Sequence, residues 1–272
     1  MTKIIVHEGK SHQDDFLAAC VCIHKLNAPA YRSKFTEEQL VDPDCWVLDQ
    51  GRSFDPELHN FDHHQIEEEI CAFTMILDNF YGKEYREFLP QLRYVEIFDS
   101  FGPTAAAKFA EMPVDSIEIV SSPIHTSMMR VFSKIDGEIF DPMLSIMKDI
   151  GKEICSQIEN VDLFFRVLGD AKLIEYSGRK IFDATKCLMP EGTKHDQLPT
   201  KTYCKKFGYE PEIILTRDSR TKDGFRMISV NTNNLKFSQN HLSYFTHNSG
   251  FLTNFMNYDD YKKILDNHTN NN

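Results

Sequence analysis

Near the N-terminus, apolar and polar positions come in blocks rather than in strict alternation. Lys3-Ile-Ile-Val6 is a short β-branched run, and such a run predicts a buried parallel strand. Phe16 to Lys25 has helical spacing, with Asp14 and Asp15 placed to cap it and Asn27-Ala-Pro29 to end it. Tyr31 to Phe35 predicts a second strand, Glu37 to Pro43 a helical turn and loop, and Trp46-Val-Leu48 a third strand closed by Asp49. Strand, helix, strand at this spacing predicts a parallel α/β sheet. Gly51 to Pro56 reads as a loop.

Glu67 to Phe98 is mainly helical in pattern, broken near Gly82 and Pro90, and Ala105 to Ala110 predicts a short helix. Ser121-Ser-Pro123 is a break. Pro142 to Val167 predicts one long helix, its stripe of Met143, Ile146, Met147, Ile150, Ile154, Ile158 and Val161 serving as packing surface. The texture changes near Gly169. Lys172 to Tyr176 and Lys180 to Asp183 predict a hairpin around Ser177-Gly-Arg179. Leu198 to Phe207 predicts a short helix, and Glu212 to Thr216 and Phe225 to Val230 two more strands. The polar tail from His268 is expected to fray. The fold class expected is α/β, with a parallel-sheet domain over 1–168 and a smaller mixed domain over 169–272. Limited proteolysis is expected to cut near Gly169 or within Glu191 to Gln197. Neither an internal repeat nor a glycine-rich nucleotide loop is present in the sequence.

With 272 residues the chain can bury a substantial core. Its net charge of -11 argues against a surface that tracks long duplexes by neutralising phosphates. A short nucleic acid at a metal site stays compatible, because the ions supply positive charge locally. No apolar run approaches the length of a membrane span. The seven cysteines form no CxxC and lie mostly among apolar residues, which points to a reducing cytosol rather than a disulfide framework. Met1-Thr-Lys3 runs straight into the first strand without a leader. A cytoplasmic protein is expected, with a bacterial or viral source.

Six of the eleven histidines fall between His7 and His64, interleaved with acids. Carboxylate and imidazole both bind first-row divalent metals. His7 and Asp49 would sit at the carboxyl ends of parallel strands, where ligands collect in such sheets. His12 and Asp14 follow His7 closely, and Phe61-Asp62-His63-His64-Gln65 is an acid joined directly to two imidazoles. As a set these residues predict a metal centre. Asp99, after Ile97-Phe98, by itself reads as a helix terminator. Lys10 and Arg52 read first as solvated loop charges, with phosphate contact as the alternative.

Val6-His7-Glu-Gly-Lys-Ser-His12-Gln-Asp14-Asp15, Val47-Leu-Asp49-Gln-Gly51 and Phe61-Asp62-His63-His64-Gln65 resemble the three N-terminal motifs of the DHH phosphoesterase superfamily. More narrowly they resemble the melanocyte-proliferating-gene family of 3′–5′ RNA exonucleases, in which His-x4-His-x-Asp replaces the usual first motif. Phe245-Thr-His247-Asn-Ser249-Gly250-Phe251 resembles that family's final motif. The resemblance implies two manganese ions, with magnesium or cobalt as substitutes, working by metal-activated attack of water. It implies His7, His12 and Asp14 as first-motif ligands, Asp49 as the bridge between the ions, and His63 and Asp99 as completing the second. Asp62 is counted with the metal set and His64 with the catalytic and substrate-binding set, one orienting and one contacting phosphate. Arg52, His247, Ser249 and Gly250 are the remaining substrate-binding candidates.

The final motif lacks the glycine pair that the family places after it. Three readings follow: an exonuclease on short RNA or oligonucleotides, a small-molecule phosphoesterase acting on cyclic dinucleotides or nucleotide phosphates, and a non-catalytic metal-binding protein. The sequence leaves the oligomeric state open.

Overall fold

The computed structural model describes residues 1–87, 90–113, 123–188, 200–218, 221 and 223–269. Ser121 and Ser122 of the expected break, the stretch Glu191 to Gln197, the start of the helix expected from Leu198 and the end of the tail lie outside them. The chain is α/β, as expected, and divides into two compact units, Met1–Glu159 and Asn160–Asn272. Among the described residues no helix is long and apolar enough to cross a membrane.

The first unit runs β1 (Lys3–Val6), α1 (Gln13–Leu26), β2 (Ala30–Arg32), α2 (Glu37–Leu40), β3 (Cys45–Leu48), β4 (Phe54–Asp55), β5 (Asn60–Phe61), α3 (Ala72–Tyr81), α4 (Pro90–Phe109), α5 (Pro123–Phe132), β6 (Gly137–Glu138) and α6 (Met143–Glu159). Its sheet has the order β4-β5-β3-β1-β2-β6. The inner pairs β3–β5, β1–β3 and β1–β2 are parallel, and the edge strands β4 and β6 pair antiparallel. Ile4, Ile5 and Val6 are all buried, which is why the strand reads as an unbroken apolar run: both faces of a parallel strand are covered.

Helix α1 packs against α3 and α6. A Cβ at Gly151 of α6 would stand 2.0 Å from the carbonyl oxygen of Cys20 in α1, so only glycine permits this approach. Met143, Met147, Ile154 and Ile158 are buried, whereas Ile146 is exposed.

Several expected elements are redrawn. The single helix over Pro142 to Val167 is two, α6 and α7 (Val161–Leu168), separated at Asn160. The short helix at Ala105 is the second limb of α4, which bends at Gly102 (φ 77°) ahead of Pro103. The second strand stops at Arg32 rather than Phe35. Helix α1 starts at Gln13 with His12 as its cap, and the His12 N–H donates to Asp15 Oδ1 at 3.2 Å.

The second unit begins with α7 and continues β7 (Lys172–Tyr176), β8 (Arg179–Asp183), α8 (Thr200–Lys206), β9 (Ile213–Arg217), β10 (Phe225–Ser229), β11 (Ser243–Thr246), β12 (Leu252–Phe255) and α9 (Asp260–Thr269). Its sheet has the order β11-β12-β10-β9-β8-β7, parallel at β8–β9 and antiparallel at the other pairs. Ser177 and Gly178 both have positive φ (51° and 74°), the pattern of a type I′ hairpin turn. Strand alternation splits the core in two. Ile213 and Leu215 pack with Ile264 and Leu265, and the intervening Ile214 packs with Leu168 and Tyr203.

Candidate metal centre

Parallel pairing of β1, β3 and β5 places the residues that follow them at one end of the sheet. His7 follows β1, Asp49 follows β3, and Asp62 and His63 follow β5. Asp14 lies in the first turn of α1, and Asp99 comes from α4. Among the described residues three donor groups result: His7, His12 and Asp49; Asp49, His63 and His64; and His12, Asp14 and Asp99, with one donor atom of each residue within 4.8 Å of the others in its group. Asp49 and His12 each belong to two groups.

Asp49 is 4 % exposed and has a left-handed backbone (φ 56°). Its two carboxylate oxygens face different imidazoles. Oδ2 lies 3.4 Å from His7 Nε2, and Oδ1 lies 3.3 Å from His63 Nε2. The chain then turns sharply through Gly51 and Arg52, both at positive φ. Asp62 closes that turn by accepting the Arg52 N–H at 2.6 Å through Oδ2. Its Oδ1 accepts the His64 N–H at 3.0 Å and pairs with His64 Nδ1 at 2.6 Å. Both oxygens of Asp62 are therefore occupied, and Asp62 is in none of the three donor groups.

Tautomers follow from the partners. His7 Nδ1 sits 2.5 Å from the Glu8 carbonyl oxygen, which can only accept, so Nδ1 carries the proton. Nε2 is left facing Asp15 Oδ2 at 2.8 Å and Asp49 Oδ2, a place that only a proton or a cation can fill. His63 Nε2 faces Asp99 Oδ2 at 3.1 Å as well as Asp49, with Asp14 Oδ2 at 3.8 Å.

Burial and like charge act together here. Burial, reinforced by Asp49, Asp99 and Asp15, raises Asp14 well above the usual carboxylate range. Burial raises Asp99 too, opposed by His63 and reinforced by Asp49. Burial also raises Asp15, against the pull of His7. Burial alone would lower His7 and His63, but the close carboxylate of Asp15 beside His7 and those of Asp49 and Asp99 beside His63 raise them. Asp62 moves down: its hydrogen bonds from His64 and Arg52 outweigh burial. Asp14 Oδ1 and Oδ2 and Asp49 Oδ1 are buried with no hydrogen-bond partner. Buried carboxylate oxygens without donors are costly, and cations among them would offset that cost. The donors are hard oxygen and imidazole nitrogen without thiolate, a set that fits manganese or magnesium.

Asp15, in sequence a helix cap at the end of the first motif, has a further part in the structure. It is fully buried and holds His7 on one oxygen and the His12 N–H on the other. Its adjacency to Asp14 in a His-x4-His-x-Asp run was the available signal.

Arg52 is exposed, beside the turn. His247, Ser249 and Gly250 lie in the second unit, in the turn between β11 and β12. His247 Nδ1 accepts the Ser249 N–H at 3.2 Å and lies 2.8 Å from Ser249 Oγ, with the Phe251 ring 4.6 Å away. The neutral ring therefore carries its proton on Nε2. Gly250 (φ 74°) is packed so tightly that a Cβ would stand 2.8 Å from the Phe237 carbonyl oxygen.

Residues 3–75 match a family described as an uncharacterised protein family (MYG1_exonuc, UPF0160). The matched stretch contains His7, His12, Asp14, Asp49, Asp62, His63 and His64 and ends before Asp99. No curated protein matches the chain.

Proposed function

We propose that this protein is a two-metal phosphodiesterase of the DHH superfamily, acting as a 3′–5′ exonuclease on short RNA or oligonucleotides. One observation carries the reading: Asp49 directs one oxygen to His7 and the other to His63, the arrangement of a carboxylate shared by two cation sites. The exonuclease in the name of the family matched over residues 3–75 supports the choice of reaction.

His7, His12 and Asp14 would hold one ion and His63 and Asp99 the other, with Asp49 common to both. Two bound manganese ions, or magnesium or cobalt in their place, would activate a water and neutralise phosphate oxygens. Asp62 fixes the His64 ring through Nδ1, which leaves Nε2 of this half-exposed side chain to exchange a proton with a phosphate or a leaving oxygen. Arg52 is an exposed cation on the same turn, suited to a phosphate oxygen. His247, with its ring proton on Nε2, would offer a second donor to the substrate, and Ser249 would hold that ring in place.

A second reading, a phosphoesterase for cyclic dinucleotides or nucleotide phosphates, is favoured by the missing glycine pair after Gly250 and by the net charge of -11. Incubation of manganese-loaded protein with 5′-labelled RNA, DNA and cyclic dinucleotides separates the two. A ladder shortening from the 3′ end supports the exonuclease. Turnover of the cyclic dinucleotide alone supports the second reading. Equal activity in excess chelator contradicts both.

Metal binding and pH are linked with a definite sign. Asp14 and Asp99 retain protons above the ordinary aspartate value of 3.8, and His7 and His63 above the ordinary histidine value of 6.5. An entering ion must displace those protons. Manganese affinity is therefore expected to rise with pH, by about tenfold per pH unit for each proton displaced. Without metal, the same raised values stabilise the fold at low pH, and that contribution fades as pH climbs through them. Thermal melts between pH 5 and 8 should show the metal-free Tm falling across this range and manganese restoring it. A manganese shift that is the same at every pH would contradict the assignment.

His247→Ala is expected to raise KM for a short oligonucleotide several-fold while changing kcat little, because a donor that touches only bound substrate contributes to binding. Steady-state kinetics and elemental analysis check this together. Loss of manganese in His247→Ala would make His247 a ligand instead.

A further inference from the structure

Arg32 ends β2 and is fully buried, yet it has no carboxylate partner within ion-pair distance among the described residues. Its guanidinium serves carbonyl oxygens instead. Nε and Nη2 donate to the His7 carbonyl at 3.1 and 2.9 Å, and Nη2 donates to the Gly9 carbonyl at 3.1 Å. Nη1 donates to the Phe132 carbonyl at 2.6 Å, and the guanidinium lies 4.4 Å from the centre of the Phe132 ring.

Phe132 is the last residue of α5. The final carbonyls of a helix lack partners within the helix and carry its negative pole, so a guanidinium is well matched to them. Ser11 adds a second tie between the same parts. Its N–H donates to Ser133 Oγ at 3.0 Å, and its hydroxyl donates to the Met129 carbonyl at 2.9 Å. The segment from His7 to Ser11, which leads into His12, is thus fastened at both ends to the end of α5.

We infer that Arg32 is a positioning residue for the His7 side of the metal centre, a role that rests on the two-metal reading above. The route is short. Two bonds to the His7 carbonyl and one to the Gly9 carbonyl fix the His7–Glu8 and Gly9–Lys10 peptide planes, which flank the peptide that carries the Glu8 carbonyl. The Glu8 carbonyl in turn holds His7 Nδ1 and so aims Nε2 at Asp49 Oδ2. Lysine cannot reproduce this: a point ammonium lacks the planar fork that spans three carbonyls at once. The same route does not reach His63, whose contacts are with carboxylates from β3, α1 and α4.

The test measures manganese binding to wild type, Arg32→Lys and Ser133→Ala by calorimetric titration, with thermal melts of each metal-free protein. Wild type should bind two ions. Arg32→Lys should keep the His63-side ion at unchanged affinity and weaken the His7-side ion by about 10- to 100-fold, the range for lost outer partners of a ligand. Ser133→Ala, a milder change that leaves the guanidinium in place, should fold normally and shift the same ion in the same direction by a smaller factor. Equal weakening of both ions would mean that Arg32 supports the fold at large, and the inference fails. If Arg32→Lys does not fold, Ser133→Ala decides: unchanged affinity of both ions overturns the inference. If wild type binds no divalent ion, the two-metal reading itself fails, which is a distinguishable result.

Discussion

Asp49→Asn is expected to lower turnover of every phosphodiester substrate on the order of a thousandfold or more and to reduce bound manganese, with the fold intact. The substitution isolates charge. Asparagine keeps the size of the side chain and tolerates the left-handed backbone at position 49 (φ 56°). What it loses is the second anionic oxygen, and Asp49 is the residue whose two oxygens face both His7 and His63. Removing one carboxylate also relieves the repulsion that raises Asp14 and Asp99, so the metal-free protein should be no less stable than wild type. Kinetics, elemental analysis and a thermal melt on the same preparation check the three parts. Full activity in Asp49→Asn would place the chemistry elsewhere. A collapsed Tm would make Asp49 a structural residue first.

Gly151→Ala is expected to destabilise the first unit by roughly 3 kcal/mol, the upper range for overpacking a tight contact. The added methyl would stand 2.0 Å from the Cys20 carbonyl oxygen and 2.9 Å from His24 Cβ. A backbone carbonyl in the middle of a helix cannot step aside, so α6 must move away from α1 as a body. Methyl groups in helix interiors otherwise favour helix by up to about 1 kcal/mol over glycine, so the sign is set by the packing alone. A Tm lowered by about 6–12 °C with activity retained below the transition is the expected result. An unchanged or raised Tm would show that α1 and α6 have room to spare.

Much of the first unit was legible because burial on both faces leaves a plain trace. Ile4 to Val6 and Trp46 to Leu48 are continuous apolar runs, and each lies in a strand of the inner sheet. The places of His7 and Asp49 were legible because they follow those strands directly. The two-residue strands β4, β5 and β6 leave no periodic pattern to find. The long stripe from Met143 to Val161 hid the break at Asn160, since apolar spacing carried on across it. Asp62 shows a different limit. Its Oδ1 is taken by His64, two residues on, but the donor to its Oδ2 comes from the turn at Arg52, which the sequence around Asp62 does not show. Arg32 had no signal at all. An arginine at the end of a strand reads as solvent-facing, and its carbonyl partners lie 23, 25 and 100 residues away in the chain.

That last separation bears on how the protein is made. Strand β1 emerges ahead of its neighbours and ends up inside the sheet, between β2 and β3, and the tie of Arg32 to the end of α5 forms only when Phe132 has been synthesised. His63 likewise waits for Asp99. A nascent chain that has just passed residue 75 already holds the whole family-matched stretch but has neither closure. Non-local parallel pairing is slow to form in any case. On the two-metal reading, a ribosome-stalled or truncated chain ending before Asp99 lacks a proposed ligand and should not acquire the pair of ions, however much manganese surrounds it.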